Sequence, residues 1–169
     1  AAQQAPAPSA RWALAGLAAG VTGAAAIYAS LRVDVAYQDA DTMSAVELIA
    51  AYRDHVPWMV AFHVLAVVCA ALMLVFAVGL FRRLRASEAA DSLVPGVAAA
   101  GVAATALVLF IGAGLDTEFV WGFAQDDVYV DPSNALFYNH WVATISWCWG
   151  LLGLSGLALS VTVAALVAL

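Results

Sequence analysis

Lysine is absent from this 169-residue chain, and only 11% of its residues carry a charge. A soluble domain of this size carries about a quarter. With 65% hydrophobic residues and a mean hydropathy of +0.93, the chain holds more apolar surface than a water-soluble fold can hide, so lipid is part of its solvent. Six arginines and no lysine leave no basic stripe, and no nucleic-acid partner is expected. Cysteine is scarce too: Cys69 and Cys148 both fall in apolar runs, without the C-x-x-C spacing of a metal or redox motif. They read as small buried hydrophobes. There is no H-E-x-x-H, no phosphate-binding glycine loop and no ladder of arginines. Arginine used to the exclusion of lysine, with abundant Ala, Val and Gly, is the composition of a GC-rich bacterial genome.

What is present are four long apolar runs. A bilayer-crossing helix needs about 20 mostly apolar residues, and the sequence predicts spans over about 12–31, 57–81, 94–115 and 133–160. The expected fold is all-α: an integral-membrane, up-down-up-down four-helix bundle, with 11–169 as one domain behind a disordered tail over 1–10. Gly16 and Gly20 form a G-x-x-x-G pair with Gly23 nearby, and Gly150, Gly153 and Gly156 recur along the last span. Both strips allow close helix approach. Ser44 and Glu47 match a capping box, and the helix they open carries Val46, Ile49, Tyr52 and Val56 roughly on one side. It is expected as a short amphipathic helix lying along the first outer loop, separate from a span that starts at Pro57. Asp131-Pro132 reads as the cap and first turn of the fourth span.

Arg11, Arg82, Arg83 and Arg85 fall on one side of this arrangement, and Arg32 and Arg53 on the other. The positive-inside rule then places both termini in the cytoplasm, in the cell (inner or plasma) membrane. Ten of the twelve acids face outward, leaving Glu88 and Asp91 inside.

Ionisable groups at membrane depth are costly and mark partners or function. His63 and His140 lie about two turns into spans that enter from the same side, and Asp116 and Glu118 arrive at that boundary from the third. The bland reading is that each histidine hydrogen-bonds a neighbour and holds helices together. A second is a transition-metal site of His63 and His140 with Asp116 or Glu118. A third is haem b held by His63 and His140 as axial ligands. A fourth is acid–base work on a lipid-like substrate, in a pocket of Trp121, Phe123, Tyr138, Trp141 and Trp147, although Trp and Tyr favour the membrane interface in any case. The functional expectation is an outer-leaflet His/carboxylate/aromatic pocket binding a metal, a cofactor or a small amphipathic molecule. The alternative is a non-catalytic accessory subunit that packs on other membrane subunits, or on its own copies, through its glycine strips. Whether any reaction is catalysed is open at this point.

Overall fold

The computed structural model describes residues 11–33, 42–125, 131 and 133–139. Every regular element among them is helical. Helix α1 spans Arg11–Leu31, α2 Ala45–Ser87 and α3 Val94–Ala124, and residues 133–139 open a further helix, α4. The first three are long and apolar enough to cross a membrane. Their flanks match that solvent: Leu14, Leu17, Val21, Val64, Val78, Leu107 and Ile111 are exposed. The tail over 1–10, the loop segments 34–41 and 126–130, the glycine strip of Gly150, Gly153 and Gly156, and the expected fourth span beyond 139 lie outside the described residues.

Helix α2 departs from the expectation. The segment read as a separate amphipathic helix is continuous with the span, and Pro57 sits inside one helix of 43 residues. Proline removes one backbone hydrogen bond and costs about 3 kcal/mol in a helix interior. Packing on both sides of it offsets that cost: Leu48 and Tyr52 before the proline and Met59 after it are buried in one cluster, each burial contributing about 1.5–3 kcal/mol. Of the apolar stripe expected here, Ile49, Tyr52 and Val56 pack on this cluster and Val46 does not. Val46 is exposed, and the line facing the core runs through Leu48, Tyr52 and Met59. The start of α2 is fixed as its sequence demands. The Ser44 amide and hydroxyl both donate to Glu47 Oε2, at 2.8 and 2.7 Å, and the Glu47 amide donates back to Ser44 Oγ.

At ~1.5 Å per residue, α2 is about 65 Å long against a hydrocarbon core of ~30 Å. Its first three turns pair with the last turns of α3. Helices α1 and α2 are antiparallel, with Trp12 beside Phe76 and Tyr28 beside Trp58. Helices α2 and α3 are antiparallel as well, with Tyr52 stacked on Phe123. Among the described elements α2 touches both neighbours, and α1 and α3 do not touch each other. Arg11, Arg82, Arg83 and Arg85 therefore share one end of the molecule. Arg32, Arg53 and the acids Glu47, Asp54, Asp116, Glu118 and Asp131 share the other.

Small residues bring α1 onto α2. Ala19, Ala26 and Ala29 are buried, and Cys69 Sγ donates to the Ala19 carbonyl at 3.3 Å. Cys69 is thus a free, buried small side chain, as expected. The G-x-x-x-G pair divides: Gly16 lies under the Phe76 ring, whereas Gly20 has open space around it. Gly79 is the tightest approach, because a Cβ there would meet the Cβ and Cγ of Trp12, atoms held close to the backbone. Gly79→Ala is expected to cost about 1–3 kcal/mol in detergent unfolding. Gly112→Ala, which meets nothing within 4 Å, should be neutral or slightly stabilising. Equal effects of the two would refute this packing.

The cap of α2 also carries a pH dependence. The Ser44 hydroxyl first, and its backbone amide second, hold the Glu47 carboxyl below its ordinary range. A depressed folded value means that the contribution is present above the unfolded value and lost as pH falls through the folded one. Hydrogen exchange of the first turn of α2, corrected for intrinsic rates, should accelerate on acidification through that window. Glu47→Gln should flatten the response.

Candidate functional site

The site is built from two helical stripes. Along α2, Leu48, Tyr52, Met59, His63, Ala66, Ala70 and Ala77 recur at steps of three, four or seven residues, and along α3 Val102, Ala106, Ala113, Asp116, Val120 and Phe123 do the same. This is the spacing of one face of a helix. Apart from the half-buried His63 and Asp116, every residue in both stripes is buried. One histidine and one carboxylate thus occupy matching positions in otherwise apolar seams.

His63 Nδ1 lies 4.0 Å from Asp116 Oδ2, with side-chain exposures of 24% and 13%. Asp116 Oδ1 accepts a hydrogen bond from the Tyr138 hydroxyl, supplied by α4. His63 Nδ1 is buried and has no hydrogen-bond partner among the described residues. A buried polar nitrogen without a partner costs about 1–3 kcal/mol. The gap between nitrogen and carboxylate has a definite size. A hydroxyl oxygen at hydrogen-bond distance, ~2.8 Å from each, would bridge it at roughly 90°. A metal ion at ~2.1 Å from each would need an angle of roughly 150°. The spacing fits an oxygen better than an ion.

Above the pair lies an aromatic layer. Phe119 stacks on Tyr138 with ring centroids 4.3 Å apart, Tyr52 stacks on Phe123 at 4.9 Å, and Tyr138 meets Tyr52 edge-on at 5.6 Å. Tyr52 Oη donates to Asn139 Oδ1 at 2.5 Å, so the polar tips of this layer are tied across α2 and α4. Arg53 donates to the Gln125 carbonyl at 3.1 Å, closing the end of α3 onto α2. Asp131 Oδ1 accepts from the Ser133 amide at 2.8 Å and from the Ser133 hydroxyl, the cap expected at the start of the fourth span. Ser133 holds the Asp131 carboxyl below its ordinary range.

The sequence-derived candidates divide accordingly. His63, Asp116 and Tyr138 come together. Glu118 is exposed and lies about 200° around α3 from Asp116, so it does not join them. Trp121 is 61% exposed and stands apart from the aromatic layer. His55 Nδ1 donates to the Ala51 carbonyl within its own helix, at 2.8 Å. His140, Trp141, Trp147 and Cys148 lie outside the described residues. Among the described residues no three His, Cys, Asp or Glu side chains are grouped to hold a metal ion. Sequence reasoning missed Asn139 and Phe119. Phe119 carries a usable signal, since it falls three residues after Asp116 on the same side of α3. No family model matches the chain, and no curated protein or solved structure matches it.

Proposed function

We propose that the chain is a four-span, up-down-up-down membrane protein whose outer end holds a small amphipathic molecule by a hydroxyl head, placed between His63 and Asp116. The observation that carries this reading is His63 Nδ1, buried without a hydrogen-bond partner among the described residues and facing a carboxylate across a gap of oxygen size. The aromatic layer of Tyr52, Phe119, Phe123 and Tyr138 supplies an apolar wall beside that polar pair, the composition of a small-molecule site. In this reading the apolar run beyond Asn139 forms the fourth span that the sequence predicts, and His140 is the second candidate imidazole. The gathering of Arg11, Arg82, Arg83 and Arg85 at one end supports placing that end on the cytoplasmic side of the cell membrane, with both termini inside.

Purified protein and its His63→Ala variant should be extracted and their organic contents compared by mass spectrometry. A hydroxylated amphiphile bound by the parent chain and missing from the variant is the expected result. Identical extracts would remove the reading. An absorption band of haem, or stoichiometric metal in elemental analysis, would replace it with the cofactor reading. Comigration with a larger complex in mild detergent, with no bound molecule, would replace it with the accessory-subunit reading.

A further inference from the structure

A second polar constellation lies on the opposite flank of α2, against α1, and is independent of the His63–Asp116 pair. Arg32 follows the last residue of α1, where its amide closes the final turn on the Ala29 carbonyl at 3.1 Å. Its guanidinium lies 5.5 Å from the centre of the Trp58 ring. Tyr28, one turn earlier, meets the same indole edge-on at 6.0 Å and 81°. Arg32, Tyr28 and Trp58 are all exposed, Tyr28 at 59% and Trp58 at 36%.

Three features of this patch point the same way. First, it offers donors without acceptors. The guanidinium has no carboxylate within ion-pair distance among the described residues, and the Tyr28 hydroxyl and Trp58 indole N–H make no hydrogen bond among them. Second, the cation lies over an aromatic face, 5.5 Å from its centre, a contact that steadies the guanidinium at an exposed position where its N–H groups can meet a planar or tetrahedral oxyanion. Third, the patch crowns an apolar strip, since Val21, Ile27 and Leu31 of α1 are exposed beside it. A free anion would use only the charge. A molecule with a phosphate, ester carbonyls and acyl chains would use the guanidinium, the two neutral donors and the strip below them.

We propose that Arg32, Trp58 and Tyr28 form a binding site for the headgroup of an anionic phospholipid, with the phosphate on Arg32 and the glycerol ester oxygens against Tyr28 and Trp58. The molecule's other arginines do not share these features. Arg82, Arg83 and Arg85 are exposed at the far end of α2 with no aromatic ring beneath them among the described residues, and serve as internal controls.

The test is native mass spectrometry of the detergent-purified chain after incubation with equal amounts of phosphatidylglycerol and phosphatidylcholine. The chain should retain one phosphatidylglycerol in preference. Arg32→Gln should lower the bound fraction about fivefold, the change expected for one arginine–phosphate contact near the surface. Trp58→Leu should lower it in the same direction, Arg32→Lys should fall between, and Arg82→Gln should leave it unchanged. Helical circular dichroism confirms that each variant is folded, and the exposed Arg32→Lys keeps the test available should Arg32→Gln fail that check. Absence of lipid preference, retention indifferent to Arg32, or an equal loss in Arg82→Gln would overturn the proposal. Displacement by inorganic phosphate alone would also overturn it, because it would show a site for the anion and not for the lipid.

Discussion

Phe123→Ala should destabilise the end of the molecule formed by α2, α3 and α4 by about 3–5 kcal/mol, the range for emptying a buried aromatic site. Phe123 is 2% exposed, and its ring packs against Tyr52 and Tyr138 together. It therefore joins the start of α2, the end of α3 and the start of α4 in one contact. Its loss should appear first as faster hydrogen exchange over 45–56 and 133–139, while the α1–α2 contact near Gly79 keeps its protection. Tyr52→Phe probes the same region differently. It keeps the ring but leaves Asn139, 5% exposed, without the hydroxyl that its Oδ1 accepts, and should cost about 1–3 kcal/mol. Uniform exchange changes along the whole of α2 in Phe123→Ala would show that this end does not form a unit of its own.

Removing either side of the polar pair should have the largest effect on binding. Leaving a buried hydrogen-bonding group without its partner costs about 1–3 kcal/mol, so Asp116→Asn and His63→Ala should each weaken retention of the proposed hydroxylated amphiphile by roughly 5- to 150-fold. The two losses should not add, because one bridging oxygen needs both partners. Tyr138→Phe offers a finer measurement. It removes the hydroxyl that donates to Asp116 without touching His63, so its effect should be smaller and should vanish in the Asp116→Leu background. Fully additive losses for His63 and Asp116 would mean that they serve separate sites.

Much of this arrangement was legible in the residues. Composition demanded lipid, three of the apolar runs became helices that can cross it, and the Ser44/Glu47 and Asp131 caps hold the bonds their spacing calls for. The pairing of His63 with Asp116 was half legible. Both were singled out by the cost of placing them at depth, and their stripes in α2 and α3 have helical spacing. Pro57 obscured the rest. Treating it as a boundary hid the continuity of the helix and added Val46 to a stripe whose Ile49, Tyr52 and Val56 do face the core, whereas carrying the phase through the proline leads from Leu48 and Tyr52 to His63. Glu118 and Trp121 were chosen for closeness along the chain, but their angles around α3 set them apart from Asp116. The G-x-x-x-G motif failed at Gly20 for a related reason, since spacing states which face is smooth and not where the neighbour ends. The Tyr52–Asn139 bond joins residues 87 apart, and no local pattern announces it.

One further consequence follows from the place of α2 between two helices that do not touch each other. The described framework is wired in series, with a single member common to both seams. Among the described residues, strain introduced on the α1 flank reaches the α3 flank through that shared rod or through Val33, which follows α1 and is buried in one cluster with Val120 and Phe123. Alpha-helical rods resist bending, so a change along the Gly79 seam is passed to the far seam mainly as a displacement of the whole rod.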